Sequence, residues 1–320
     1  MAPRPGTLVG MAQTRWTASR IPDQTGRTFV VTGANSGLGL AATRELARHG
    51  ARVVMAVRNE PKGQQALDGL RAEQPDADLE LRRIDLADLD SVRAFADRLH
   101  ADGTGLDVLI NNAGVMMPPR SLSPQGQESQ FAGNHLGHFA LTGLLLDILQ
   151  RGTDPRVVTV SSTLHRRGSI HFDDITGAAG YSPTAFYAQS KFANVLFGLE
   201  LDRRLRAANS PIRSLLAHPG YSATNLQSTG PTGIAKFAGA IGNKLLAQSV
   251  EMGVLPELYA ATDPAATGGQ FIGPDGRGES KGYPTVVRPI PPAEDRETAL
   301  RLWTLSEELT GVRFDLPAAA

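Results

Sequence analysis

A chain of 320 residues with 41% hydrophobic content can bury one large α/β core, and its 32 basic and 32 acidic side chains cancel, so no global field draws it to nucleic acid or an anionic membrane. Without cysteine it forms no disulfide, zinc–thiolate centre or thiol nucleophile, which is compatible with a cytoplasmic location. The apolar run at residues 6–12 is followed by Arg15 and Arg20 and by no cleavage pattern, so residues 1–24 read as an N-terminal surface arm, with neither a signal peptide nor a transmembrane anchor.

Beyond that arm, short runs rich in β-branched residues at 28–32, 52–57, 79–84, 107–112, 156–162, 212–217 and 268–272 predict seven strands. Segments of helical period near 38–49, 62–73, 89–100, 125–150, 184–207 and 243–262 lie between them. This alternation predicts an α/β fold: a single doubly wound Rossmann-type domain over residues 25–275, with a seven-stranded parallel sheet. A barrel would need eight comparable repeats. Turn residues crowd 273–284, so residues 276–320 read as a short helical C-terminal extension with its helix at 294–310.

The first strand runs into TGANSGLG, where Gly33, Gly37 and Gly39 let the backbone bend and approach a pyrophosphate resting on the following helix N-terminus. The spacing is GxxxGxG, and a purely structural glycine turn is the competing reading. The second strand ends at Arg58 and Asn59, where a fold that prefers NAD(H) usually offers a carboxylate to the ribose 2′-hydroxyl. A guanidinium there can fork onto a 2′-phosphate, which favours NADP(H), although Glu60 follows and a merely solvated arginine is the alternative.

The fifth strand ends in Ser161 and Ser162, and the next helical segment carries Tyr187 and Lys191 four residues apart, on one face. Lysine is scarce here, occurring five times in the chain. A phenol titrates near ~10, so work as a base near neutrality asks for a downward shift of about 3 units, or about 4 kcal/mol. An ammonium at ~4 Å supplies about 4 kcal/mol at an effective dielectric of ~20, so Lys191 is expected to lower the Tyr187 pKa. Neighbouring strand residues point oppositely, which makes Ser162 the expected third member and Ser161 its rival. His165, His171 and His218 lack metal-ligand spacing, His135 and His138 read as packing residues, and no metal is expected.

Taken together, TGANSGLG, the NNAG at 111–114, Asn134, VSS, YxxxK and the HPG at 218–220 resemble the short-chain dehydrogenase/reductase family over residues 23–272. NNAGVMMPP, NHLGHF and the segment 161–175 are most similar to its retinol dehydrogenase and WW-domain oxidoreductase branch, here with the arginine-rich, lysine-poor composition of a GC-rich bacterium. The resemblance implies that Tyr187 is the general acid/base, that Lys191 holds the nicotinamide ribose, that Ser162 polarises the substrate oxygen, and that Asn134 holds a water on a proton path. It further implies that Asn35, Ser36 and Leu38 join the three glycines at the cofactor. Asp85 and Leu86 would then contact adenine, Asn111, Ala113 and Gly114 would line the adenosine side, and Pro219, Gly220 and Thr224 would frame the nicotinamide. On the residues alone, Asn111 and Asn112 could equally finish a strand, Asp85 could cap a helix, and Pro219–Gly220 could be a plain turn.

Residues 221–250 are sparsely charged and punctuated by glycine, which suits a lid over an apolar pocket walled by Met116, Met117, His165 and Tyr221. The expectation is an oxidoreductase that uses NADP(H), with NAD(H) as the alternative, on a small lipophilic alcohol or carbonyl substrate; a homodimer stays open. Three competing readings are an idle dinucleotide sensor or scaffold, a double-bond reductase of the protochlorophyllide reductase type, and a sugar-nucleotide epimerase. The presence of both Tyr187 and Lys191 argues against the first, the absence of cysteine against the second, and the glycine spacing against the third.

Overall fold

In the computed structural model, residues 15–103, 105–221 and 248–316 are described. Strands β1 (Thr28–Thr32), β2 (Arg52–Val57), β3 (Leu79–Arg83), β4 (Val108–Asn111), β5 (Arg156–Val160), β6 (Arg213–Ala217) and β7 (Phe271–Pro274) pair in parallel in the order β3-β2-β1-β4-β5-β6-β7. Every residue of β1, β4 and β5 is buried, because helices cover both faces of the sheet. Val31 packs into one core with Phe29, Met55 and Leu258, while Val30 packs into the other with Phe95, Leu109 and Phe139; the period of two divides each strand between two layers.

An eighth strand, β8 (Pro284–Val287), adds antiparallel to β7, so the sheet continues past residue 275 into the segment read from sequence as an extension. It escaped the sequence reading because it opens on proline behind a turn-rich stretch and is half-exposed. Proline is tolerated at the first residue of such an edge strand. Trp16 likewise leaves the expected surface arm: its ring meets Tyr259 edge-on at 5.4 Å and its Nε1 donates to Asp263 at 2.6 Å.

Helices α1 (Gly37–Arg48), α2 (Glu60–Glu73) and α3 (Leu89–Ala101) follow the first three strands. The stretch expected as one helix over 125–150 is broken into α4 (Ser129–Phe131), a π-helical turn (Ala132–Leu136), α5 (Gly137–Leu144) and α6 (Leu146–Gln150). Glu128 starts it by accepting from the backbone of Gln130 and Phe131 at 2.9 and 2.8 Å. Gly137 lets it cross tightly over Leu86, whose carbonyl a Cβ would strike. Helix α7 (Pro183–Ala207) opens on a Ser182 cap with proline at its first turn. Its burial on nearly all sides explains its lack of an amphipathic stripe. Helices α8 (Val250–Gly253) and α9 (Leu255–Thr262) cover the far face, and α10 (Arg296–Thr310) covers α7, where Trp303 packs on Phe139 at 5.1 Å and on Phe314 at 4.6 Å. Among the described residues no helix is long and apolar enough to cross a membrane.

Candidate active site

The chain leaves β1 toward β2 on one side and returns to β4 on the other, so a crevice opens beyond the carboxyl ends of β1 and β4, the place where open α/β sheets bind ligands. Gly33 and Gly37 take positive φ (69° and 55°), which only glycine adopts at little cost. At Gly39 a Cβ would lie 2.6 Å from the Gly33 carbonyl and 2.5 Å from Asn112 Nδ2, so this position closes the turn onto the strand. Ser36, the residue before α1, forms no side-chain cap, which leaves the first N–H groups of α1 without a side-chain acceptor. With Asn35, Ser36 and Leu38 half-buried around it, this cradle fits a phosphate.

Thr32 ties that cradle to the NNAG segment. Its Oγ1 accepts from the backbone N–H groups of Asn112 and Ala113, both at 2.9 Å, and Asn112 Nδ2 donates to the Thr32 carbonyl at 2.6 Å. His138 Nδ1 faces the Asn134 carbonyl at 3.0 Å and must donate to it, so Nε2 is the acceptor for the Thr32 hydroxyl at 2.9 Å. Burial pulls the His138 pKa down to about 4, which keeps the ring neutral for this role.

Arg58 is exposed at the end of β2 and has no hydrogen bond or ion pair among the described residues. Asn59 is committed to capping α2, accepting from the Lys62 N–H at 2.9 Å. Asp85 does not cap α3; Asp88 does, and Asp85 instead accepts from Ala87 N at 3.1 Å while its own N–H donates to Ser91. Leu86 is buried beneath α5. Asn111 departs from its expected place beside adenosine: its side chain is fully buried and donates to Thr142 Oγ1 at 3.0 Å, because alternation on β4 turns it into the core. Ala113 and Gly114 are half-buried, and a Cβ on Gly114 would lie 3.5 Å from Lys191 Nζ.

The tyrosine, lysine and second serine converge. Tyr187 and Lys191 are both buried, and the Lys191 ammonium sits 5.9 Å from the Tyr187 ring centre while donating to the Val160 carbonyl at 3.2 Å. Among the described residues no carboxylate pairs with it. The Ser162 side chain acts on the Tyr187 phenol, favouring its ionised form. Ser161 points the other way and donates to the Lys191 carbonyl at 2.8 Å, as strand alternation predicts. The electrostatics correct one expectation: burial pushes the Tyr187 phenol up to about 12 against the lowering effect of Ser162, and burial brings Lys191 down to about 8. Desolvation is the larger influence on the phenol, and Ser162 opposes it.

Asn134 is fully buried in the π-helical turn, accepting from Val115 N at 2.8 Å and donating to Val115 O and Ser190 Oγ at 2.9 Å. π-turns of this kind often mark functional sites. Gly220 bends the chain after β6 with φ 64°, next to half-buried Pro219; Thr224 and most of the expected lid lie outside the described residues. Met117 takes φ 54° and is pinned by Gln130 through its N–H at 2.8 Å, with Tyr181 bridging Gln130 and the Pro118 carbonyl. Among the described residues no cluster could hold a metal ion. Thr32, His138, Gln130 and Glu279 have supporting parts that the sequence reading did not assign. The i, i+4 spacing of Asn134 and His138 was the available signal for one of them, and none marked Glu279, which a distant turn brings in.

Comparison with known proteins agrees with this geometry. A family model described as short chain dehydrogenase matches residues 27–233. The chain is 39% identical over 293 residues to human (Homo sapiens) retinol dehydrogenase 13, covering 90% of this chain and 85% of that protein. It is 39% identical over 297 residues to Mus musculus polyprenol dehydrogenase, covering 91% and 86%. The crystal structure of an uncharacterised protein from Mycobacterium paratuberculosis superimposes with a TM-score of 0.78 at 46% identity, covering 95% of this chain and all of that one.

Proposed function

Because this chain belongs to the short-chain dehydrogenase family, we propose that it is an NADP(H)-dependent oxidoreductase that moves a hydride between the nicotinamide and a lipophilic alcohol or its carbonyl counterpart. The observation that carries the reading is the convergence of Tyr187, Ser162 and Lys191 beside the crevice. The bound nicotinamide supplies or accepts the hydride. Tyr187, held protonated through neutral pH, gives its proton to the carbonyl oxygen during reduction, and Ser162 Oγ donates a hydrogen bond to the same oxygen. Lys191 keeps a positive charge beside the phenolate that results, and regaining a proton from solvent resets Tyr187. In oxidation the same groups run in reverse, with Tyr187 taking the hydroxyl proton.

Arg58 supports NADP(H), since it is exposed directly after β2, at the strand end where folds that prefer NAD(H) usually offer a carboxylate and where a guanidinium can fork onto a 2′-phosphate. The lipophilic substrate is supported by the names of two relatives, whose alcohols, retinol and polyprenol, are long and apolar, and by Met116 and Met117 beside Gly114. The test is NADPH oxidation by the purified protein with a panel of long-chain and cyclic aldehydes and ketones. Tyr187→Phe should lower kcat by about 10³ or more, equivalent to about 4 kcal/mol, while the Kd for NADPH stays within about threefold. Wild-type protein that binds NADPH yet turns over nothing in the panel, or a phenylalanine variant that keeps a tenth of the activity, would sink the reading.

A further inference from the structure

The Pro219–Gly220 bend and the turn behind Ser162 are held by one carboxylate from a third segment. His218 is fully buried, and its Nδ1 accepts from the Gly220 N–H at 3.2 Å. A backbone N–H can only donate, so the proton is on Nε2, which donates to Glu279 Oε2 at 2.8 Å. The other oxygen, Oε1, pairs with Arg166 at 2.5 Å, and Arg166 lies in the 3₁₀ turn (Thr163–Arg167) that Ser162 caps. Glu279 itself sits at φ 57°, in left-handed backbone that a non-glycine residue rarely adopts, within a turn that presses on the bend. A Cβ on Gly220 would lie 2.5 Å from the Ser280 carbonyl and 3.0 Å from that of Glu279, and the Tyr221 N–H donates to the Ser280 carbonyl at 2.8 Å. A second histidine completes the frame: His165 Nδ1 donates to the Ser162 carbonyl at 2.7 Å. The His165 and His218 rings both pack on Phe271, at 5.4 and 5.2 Å.

We infer that Glu279 is a positioning residue, whose carboxylate, through His218 on one side and Arg166 on the other, sets the spacing between the nicotinamide-side bend and Ser162. The inference rests on the dehydrogenase reading of that bend and of Ser162. It predicts that loss of Glu279 misplaces the reacting half of the cofactor while leaving the glycine cradle and Arg58, at the far end of the crevice, able to bind the nucleotide.

The test compares Glu279→Ala and Glu279→Gln with wild type in the full chain, following the NADPH Kd, the fluorescence of the bound dihydronicotinamide, the thermal midpoint, and kcat and KM on a carbonyl that wild type reduces. Glu279→Ala should lower kcat by about 10- to 100-fold and change the bound fluorescence, with KM and the NADPH Kd within about threefold. Glutamine still accepts from His218 Nε2 but loses the charge for Arg166, so Glu279→Gln should recover most of the kcat and the wild-type fluorescence. An alanine variant with kcat and bound fluorescence within twofold of wild type would overturn the inference, as would equal losses of NADPH affinity and kcat in both variants. If wild type reduces no carbonyl at all, the dehydrogenase reading fails separately. The bound fluorescence then decides alone whether Glu279 sets the nicotinamide's surroundings.

Discussion

The two ends of the parallel sheet treat buried charge in opposite ways. At the amino ends of β1, β5 and β6, three arginines meet carboxylates and carbonyls. The fully buried Arg156 donates to Asp154 at 2.6 Å and to the Ala260 and Asp263 carbonyls at 3.0 and 2.9 Å; Arg213 pairs with Asp154; and Arg27 donates to the Thr153 and Asp154 carbonyls. Asp107 receives the Thr28 and Thr153 N–H groups at 2.6 and 2.5 Å. At the carboxyl ends, among the described residues, Lys191 is buried with a backbone acceptor and no carboxylate, Tyr187 is buried as a neutral phenol, and His165 Nε2 has no hydrogen-bond partner. Paired charge at one end stabilises the fold; under-paired groups at the other are available to a ligand, at a cost in stability.

The largest effect that would test this contrast is acid. Burial lowers His135 to about 3 and His138 and His165 to about 4, whereas each titrates near 6.5 in the unfolded chain. Between those values the unfolded chain binds more protons, so the stability these neutral rings contribute is complete above about 6.5 and is lost as pH falls toward 4. Each contributes up to about 1.4 kcal/mol per pH unit, or about 4 kcal/mol per unit for the three. The guanidiniums of Arg27 and Arg156, brought to about 10 by burial, do not titrate in this range. Thermal midpoints should therefore fall steeply from pH 6.5 to 4, and His138→Gln should flatten the slope by about a third. A flat profile would contradict the neutral histidines.

Next in size is Arg156→Met, which leaves two carbonyls and Asp154 short of a donor. It should cost about 3 kcal/mol in urea unfolding while the activity of the folded fraction changes less than twofold. A catalytic defect without a stability loss would reverse the roles of the two ends. The smallest expected effect is Arg58→Ala: about a 10- to 30-fold weaker Kd for NADPH, or about 1.4 to 2 kcal/mol, with NADH affinity within twofold. Equal losses for both cofactors would remove Arg58 from recognition of the 2′-phosphate.

Much of this was legible before any coordinates. Runs such as TFVVT and RVVTV are apolar on both faces, which only a covered parallel strand accommodates, and the glycines of TGANSGLG stand where the backbone bends. Alternation foretold that Ser161 and Ser162 point oppositely, and Ser161 is the one turned to the Lys191 carbonyl. The break at Asn134 was hidden, because a long apolar stretch reads as continuous helix until a crossing segment such as Leu86 demands Gly137. So was β8, whose half-exposed residues carry no period.

Local pattern and backbone sterics, which act over a few residues, decided the strands, the glycine cradle and the Tyr187–Lys191 face. Tertiary structure alone decided the protonation state of Tyr187 and the pairing of Glu279 with His218 and Arg166. Desolvation depends on everything packed around a group, and contacts between residues 61 and more apart in the chain exist only after the sheet has assembled.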